Sequence, residues 1–191
     1  MPQNQLNRRN FLNTGAAFGA ALSAPSLIAT PAHAFSPRPR MVKINKGLEV
    51  GRIYIVPSSF YLYLVTEQRK ALRYGVGVGQ AGREFTGVAE IKVKKEWPTW
   101  RPTDEMIERE PHKFPMFIGN EFVQPGGRGN PLGARALYLF QNGVDTYFRI
   151  HGTNEPKSIG QTDSSGCIRM LNAHVIDLYE RVPIGTVVTV L

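Results

Sequence analysis

Past residue 50 the chain is written in short β-branched and aromatic runs cut by Gly, Pro and Asn, a pattern that commits it to strands and turns rather than to a helical bundle. Residues 52–56 and 60–65 flank Pro57-Ser58-Ser59 and predict a hairpin. Residues 71–78 predict a strand that ends in the Gly-rich turn Gly75-Val76-Gly77-Val78-Gly79, and residues 89–94 alternate apolar with charged side chains, as a half-exposed strand does. Strands are predicted again over 136–140 and 146–150, around an Asn142-Gly143 turn, and over 186–191. In the second of these, alternation puts Tyr147, Arg149 and His151 on one face. Helical signals are few. Thr103 can cap a helix over 104–110, and Asn172 can cap one that carries Val175, Ile176 and Tyr179 before Pro183 ends it. Residues 125–133 form a long Gly/Pro-rich loop without apolar periodicity.

The first residues have another character. Residues 1–34 read as an export signal, with Arg8 and Arg9 near a polar start, an apolar stretch over 14–28, and Ala32-His33-Ala34 as a small-residue cleavage site before Phe35. The paired arginines in Asn7-Arg8-Arg9-Asn10-Phe11-Leu12 resemble a twin-arginine leader, with an ordinary secretory leader as the alternative. The apolar stretch falls short of the roughly 20 residues of a spanning helix and is interrupted by Gly, Ser and Pro, and no later segment is long enough. An exported protein of the periplasm or cell envelope is therefore expected, with no transmembrane segment in the mature chain. Residues 35–49 read as a tether, Pro- and Arg-rich at its start, and residues 50–191 as one domain. Without the leader the formal charge falls from +8 to about +6, scattered rather than clustered, which argues against a nucleic-acid partner.

One cysteine, Cys167, excludes an internal disulfide and any cysteine-rich metal site. A thiol that serves as a nucleophile needs a base to take its proton and donors for an oxyanion. His151 precedes Cys167 at the end of a predicted strand, and Ser164-Ser165-Gly166 provides a polar, tight turn whose amides can receive an oxyanion. The plainer alternative is a small buried hydrophobe with a strand-capping histidine. An unpaired thiol in an oxidising compartment is a liability, and this one sits in a Ser-Ser-Gly turn rather than an apolar run, which favours a chemical role. Zinc held by Cys167, His151 and His174 or His112 lacks any metal-ligand spacing.

His151-Gly152-Thr153-Asn154-Glu155-Pro156 and Ser164-Ser165-Gly166-Cys167-Ile168-Arg169-Met170 resemble the signature of the L,D-transpeptidase catalytic domain of the YkuD/ErfK type. The likeness extends to residues 74–79, 97–102 and 130–138, so it covers most of residues 50–191. It implies a mainly β fold, sandwich-like with mixed sheets and one or two short helices. It also implies Cys167 as nucleophile, His151 as base, and the Gly152 carbonyl as the group that orients the imidazole. Gly166 and Cys167 amides would form the oxyanion hole, with Ser165 and Arg169 in support and Tyr138 and Ser164 near substrate. Many members carry a second histidine where this chain has Ser165. The implied substrates are peptidoglycan stem peptides, a tetrapeptide donor and an amine acceptor, with no cofactor. Hydrolysis, D-amino-acid exchange and attachment of a protein to the wall are alternatives on the same site, and an inactive wall-binding module or a thiol redox sensor are alternatives of another class.

Overall fold

The computed structural model describes residues 35–83 and 85–191, so the expected export signal lies outside the described residues. The chain runs β1 (Arg40–Lys43), β2 (Ile53–Val56), β3 (Tyr61–Glu67), β4 (Lys70–Gly75), β5 (Val78–Gly79), β6 (Gly87–Glu96), α1 (Asp104–Arg109), β7 (Arg135–Gln141), β8 (Val144–His151), β9 (Thr162–Ser164), β10 (Ile168–Arg169), α2 (Asn172–Arg181) and β11 (Val187–Val190). Nine strands form one mixed sheet in the order β1-β4-β3-β2-β11-β6-β7-β8-β10, and β5 and β9 form a parallel pair. Within the large sheet only β11–β2 and β10–β8 are parallel. The mainly β, mixed-sheet expectation with two short helices holds.

A twisted sheet of this width curls. Here the curl brings its far edge back to the segment after β4, where Gly77 and Arg169 exchange two backbone hydrogen bonds of 2.9 Å. The enclosed core takes Ile53, Ile55, Leu62, Leu64, Ile91, Leu139 and Ile150 from the sheet and Val175 and Leu178 from α2. The opposite side chains of β2 and β3, namely Tyr54, Val56, Tyr63 and Val65, pack beneath Ile44 and Leu48. Both faces of β2 are thus covered, which is why its Ile-Tyr-Ile-Val carries no polar alternation.

Three expectations are revised. The stretch read as a tether is part of the fold: β1 pairs with β4, Ile44 is buried, and the Phe35 ring lies 5.4 Å from that of Tyr61. On the outer face of β3 and β4, Tyr63, Val65 and Ala71 are buried beneath that cover, with Arg73 stacked on the Tyr61 ring. Residues 75–79 are not a turn but an extended segment. A Cβ on Gly75, Gly77 or Gly79 would meet backbone of Pro37, Ser158 and Gly166 at 2.5, 2.5 and 2.7 Å, so the glycines permit close backbone approach. Helix α2 has Leu171 as its N-cap, without a side-chain cap bond, and buries Val175 and Leu178 rather than Ile176. Asn172 is spent elsewhere. At the other end of α2, Lys94 Nζ donates to the carbonyls of Tyr179 (2.6 Å) and Val182 (2.8 Å), meeting unpaired acceptors and the negative end of the helix dipole.

Candidate active site

The parallel pairing of β10 with β8 sets Arg169 opposite His151 and Ile168 opposite Ile150. Cys167, two residues before Arg169, therefore lies on the same face and diagonal to His151. Cys167 and His151 line one cavity of about 480 Å³, together with Tyr138, Arg149, Ser164, Ser165 and Arg169. Its far wall is the inserted segment between β6 and β7, through Trp100, α1 residues and Leu132. That wall is held by an aromatic cluster in which Trp100 meets Phe117 at 5.4 Å and Phe114 at 6.0 Å, and Phe117 meets Phe122 at 5.6 Å.

His151 is buried, and its Nδ1 stands 2.6 Å from the Gly152 carbonyl. A carbonyl only accepts, so Nδ1 carries the proton and Nε2 is left as a base. Burial holds the imidazole down to about 4, with Arg169 and Arg149 adding to the effect and the Gly152 carbonyl opposing it. The Cys167 thiol is pushed up, chiefly by burial, although a backbone hydrogen bond from Arg149 and the charges of Arg149 and Arg169 pull the other way. Thiol and imidazole are thus both neutral at pH 7. At rest the sulfur lies 3.8 Å from the Tyr147 carbonyl.

The Gly152 carbonyl is itself anchored. Asn172 Oδ1 accepts from the amides of Ala134 (3.0 Å) and Thr153 (3.1 Å), and its Nδ2 donates to the Thr153 carbonyl (3.0 Å). One side chain, through three hydrogen bonds, ties two segments together beside His151.

The cysteine loop is closed by Ser164, whose hydroxyl donates to the Cys167 carbonyl at 2.5 Å and accepts from the Gly166 amide at 3.2 Å. Ser164, expected near substrate, lines the cavity with its hydroxyl committed to the loop, and the Gly166 amide, expected in an oxyanion hole, is turned to Ser164. Gly166 has φ 126°, and a Cβ there would strike the Arg83 carbonyl at 2.4 Å and the Phe148 ring at 2.5 Å, so no other residue fits. Ser165 is exposed at the cavity edge. Arg169 is largely buried and reaches Glu155 at 3.2 Å and Asp163 at 3.8 Å. Among the described residues no three of His, Cys, Asp and Glu gather as metal ligands.

Sequence reasoning missed Asp145 and the role of Arg149. Arg149 also lines the cavity, lies 4.1 Å over the Tyr138 ring, and is gripped by Asp145 at 2.7 and 2.8 Å. Strand alternation placed Arg149 beside His151, but nothing in the sequence marked Asp145 as its partner.

The sequence model of YkuD, the L,D-transpeptidase catalytic domain, matches residues 51–190. A putative L,D-transpeptidase of Fuscovulum blasticum is 30% identical over 97% of this chain and 98% of its own length. The probable L,D-transpeptidase ErfK/SrfK of Escherichia coli K12 is 35% identical over 62% of this chain, which spans only 36% of that relative. Among solved structures, a Brucella melitensis protein described as a probable carnitine operon oxidoreductase is 51% identical, with a TM-score of 0.54 over 78% of this chain and 90% of that one. The catalytic domain of the Enterococcus faecium L,D-transpeptidase, solved acylated by ertapenem, shares the fold with a TM-score of 0.53 at 19% identity over 75% of this chain and 98% of that one. A dinucleotide turn is not what the glycines of this chain build, because Gly77-Val78-Gly79-Gln80-Ala81-Gly82 leads into β6 rather than into a helix. The family match over most of the chain, and a fold that brings Cys167 and His151 to one cavity, agree: the chain belongs to the YkuD family of L,D-transpeptidase catalytic domains.

Proposed function

We propose that this protein is an exported L,D-transpeptidase that cross-links peptidoglycan stem peptides through a thioester on Cys167. The observation that carries the reading is the imidazole of His151, locked by Gly152 into the tautomer that leaves Nε2 as a base, diagonal to the thiol in the same cavity. Because both groups rest neutral, the thiol proton moves to Nε2 as sulfur attacks the carbonyl of the donor tetrapeptide's diamino acid. The C–N bond to the terminal D-Ala then breaks, and His151 returns the proton to the leaving amine. An acceptor amine attacks the thioester, gives its proton to His151, and frees the thiolate, which takes that proton back.

With the Gly166 amide engaged by Ser164, the Cys167 amide is the loop donor assigned to the oxyanion. The cavity wall carries an excess of basic groups, which favours an acidic peptide: Arg83, Arg101, Arg109, Arg149 and Arg169 line it against Glu105 as its carboxylate among the described residues, although Asp104, Asp145 and Glu155 hold Arg101, Arg149 and Arg169 from outside it. The export signal over 1–34, with twin arginines Arg8 and Arg9, would deliver the enzyme to the envelope where this polymer lies. No helix of the described residues is long and apolar enough to cross a membrane.

Incubation with purified muropeptides tests the reaction. Dimers joined between two diamino acids, with loss of D-Ala, are expected, along with a covalent carbapenem adduct on Cys167 seen by mass spectrometry. Cys167→Ala should lose both. Equal dimer yield from that variant refutes the thioester route, and release of D-Ala without dimers points to hydrolysis instead.

A further inference from the structure

Strand β8 does not run straight to His151. Its register against β7 shifts, with Tyr138 opposite Arg149 but Phe140 opposite Asp145, so one residue of β7 faces three of β8. At the centre of this bulge Tyr147 has φ 60°, a conformation an L side chain rarely adopts, and its side chain is 74% exposed. Local side chains hold the bulge. Asp145 Oδ1 accepts from the Tyr147 amide at 2.8 Å and from Arg149 Nη1 at 2.7 Å, and Oδ2 accepts from Arg149 Nη2 at 2.8 Å. Thr146 Oγ1 donates to the Leu139 carbonyl at 2.6 Å and accepts from the Phe148 amide at 3.2 Å.

The bulge is what faces the sulfur. The Tyr147 carbonyl lies 3.8 Å from Cys167 Sγ, and the β8–β10 register, extended by one residue, sets Arg149 beside Cys167, where its backbone amide favours the thiolate. One group accepts from the thiol and the other donates to the thiolate. We infer that Asp145 is a positioning residue for the nucleophile: its carboxylate fixes the bulge from which Tyr147 and Arg149 address the Cys167 sulfur. The inference rests on Cys167 being the nucleophile of the proposed reaction.

Arg149 is not free for a substrate carboxylate. Its guanidinium binds both oxygens of Asp145, donates to the Phe148 carbonyl at 3.0 Å, and covers the Tyr138 ring at 4.1 Å. The bidentate grip, on an arginine side chain only 13% exposed, ties residue 145 to residue 149 across the bulge. The charged and titratable groups that share the cavity with the thiol are Tyr147, Arg149 and His151 from β8, Tyr138 from β7, Arg169 from β10, Arg83 ahead of β6, and Arg101, Glu105 and Arg109 on the far wall, with Asp145 acting on the thiol as well.

Charge and geometry predict opposite signs, which makes the test decisive. The negative charge of Asp145, acting alone, pushes the thiol up, whereas the Arg149 amide and guanidinium that it holds in place push it down. The protein has one cysteine, so alkylation by iodoacetamide reads Cys167 alone. In the positioning role, Asp145→Ala raises the pH midpoint of alkylation by about one unit and slows the reaction at pH 7 about tenfold. An unchanged or lowered midpoint overturns the inference. Should that variant fail to fold by circular dichroism, Arg149→Lys carries the test, since it keeps the charge and loses the two-pronged contact. A raised midpoint supports the positioning role and an unchanged one refutes it. The readout needs no peptidoglycan, so a wild-type protein that alkylates normally but forms no muropeptide dimers refutes the proposed function separately.

Discussion

Gly79 and Gly166 touch through bare backbone: a Cβ on Gly79 would stand 2.7 Å from the Gly166 Cα and 3.1 Å from its nitrogen. Neither side can yield like a flexible side chain, so the residue before the cysteine is located by a strand from the first half of the chain. Gly79→Ala is expected to destabilise the protein by about 1–3 kcal/mol and to slow carbapenem acylation of Cys167. Gly129→Ala, where a Cβ meets nothing within 4 Å, is the control and should stay within about 0.5 kcal/mol of wild type. Thermal melts and intact-mass kinetics on the pair check both statements.

His151 should dominate the acid limb of stability. Its imidazole is held to about 4 in the fold against an ordinary value near 6.5, so the unfolded chain binds a proton the folded one refuses. The resulting stability is intact above pH 6.5 and drains as pH falls toward 4, by on the order of 3 kcal/mol at that end. Urea titrations at pH 7 and pH 4.5 read the loss. His151→Gln should flatten it, and a variant with the same acid sensitivity would contradict the assignment.

The same substitution separates activation from binding. Removing the base should slow acylation at pH 7 by about 100- to 10,000-fold. Raising the pH should recover part of the rate, because hydroxide then makes the thiolate directly. A variant that acylates at the wild-type rate at pH 7 excludes His151 as base.

Asn172 offers a fourth test. Asn172→Ala abandons two amides and a carbonyl beside the Gly152 peptide. A cost of about 2–3 kcal/mol is expected, with slower acylation as the imidazole loses its fixed tautomer. Asn172→Asp keeps the acceptor for the Ala134 and Thr153 amides but sets a carboxylate against the Thr153 carbonyl, so it should fall between alanine and wild type. Chemical denaturation ranks the three proteins.

Export is tested in the cell. Replacing Arg8 and Arg9 with lysine should retain the full-length protein inside if the leader is of the twin-arginine kind, and terminal sequencing of the exported form should begin at Phe35. Unimpaired export of the double variant would favour an ordinary secretory leader.

The strands were legible because their side chains obey simple periods. The 53–56 and 61–67 hairpin, the Asn142-Gly143 turn, with φ 52° and 80°, and the Thr103 cap, whose hydroxyl accepts from the Met106 amide at 3.3 Å, all form from local signals. Cys167 and His151 stood out by chemistry, and the fold brings them to one cavity. What stayed hidden depends on partners far away in sequence. Asn172 has the composition of a cap, but its partners lie at residues 134 and 153. The glycines from 75 to 79 read as a turn because their need, close approach to residues 37, 158 and 166, is written nowhere near them. Asp145 escaped notice because a bulge breaks the alternation by which strand neighbours are recognised.

The seam between Gly77 and Arg169 also orders events in time. Its two halves lie roughly ninety residues apart in sequence, and long loops close late because their ordering cost precedes any contact that rewards it. Cys167 sits two residues from that seam, so its neighbours are complete only once the sheet has curled shut. The pairing of β10 with β8 joins Cys167 to His151 across a short loop, so that half of the cavity can form early, and the long-range seam to Gly77 fixes the cysteine turn last.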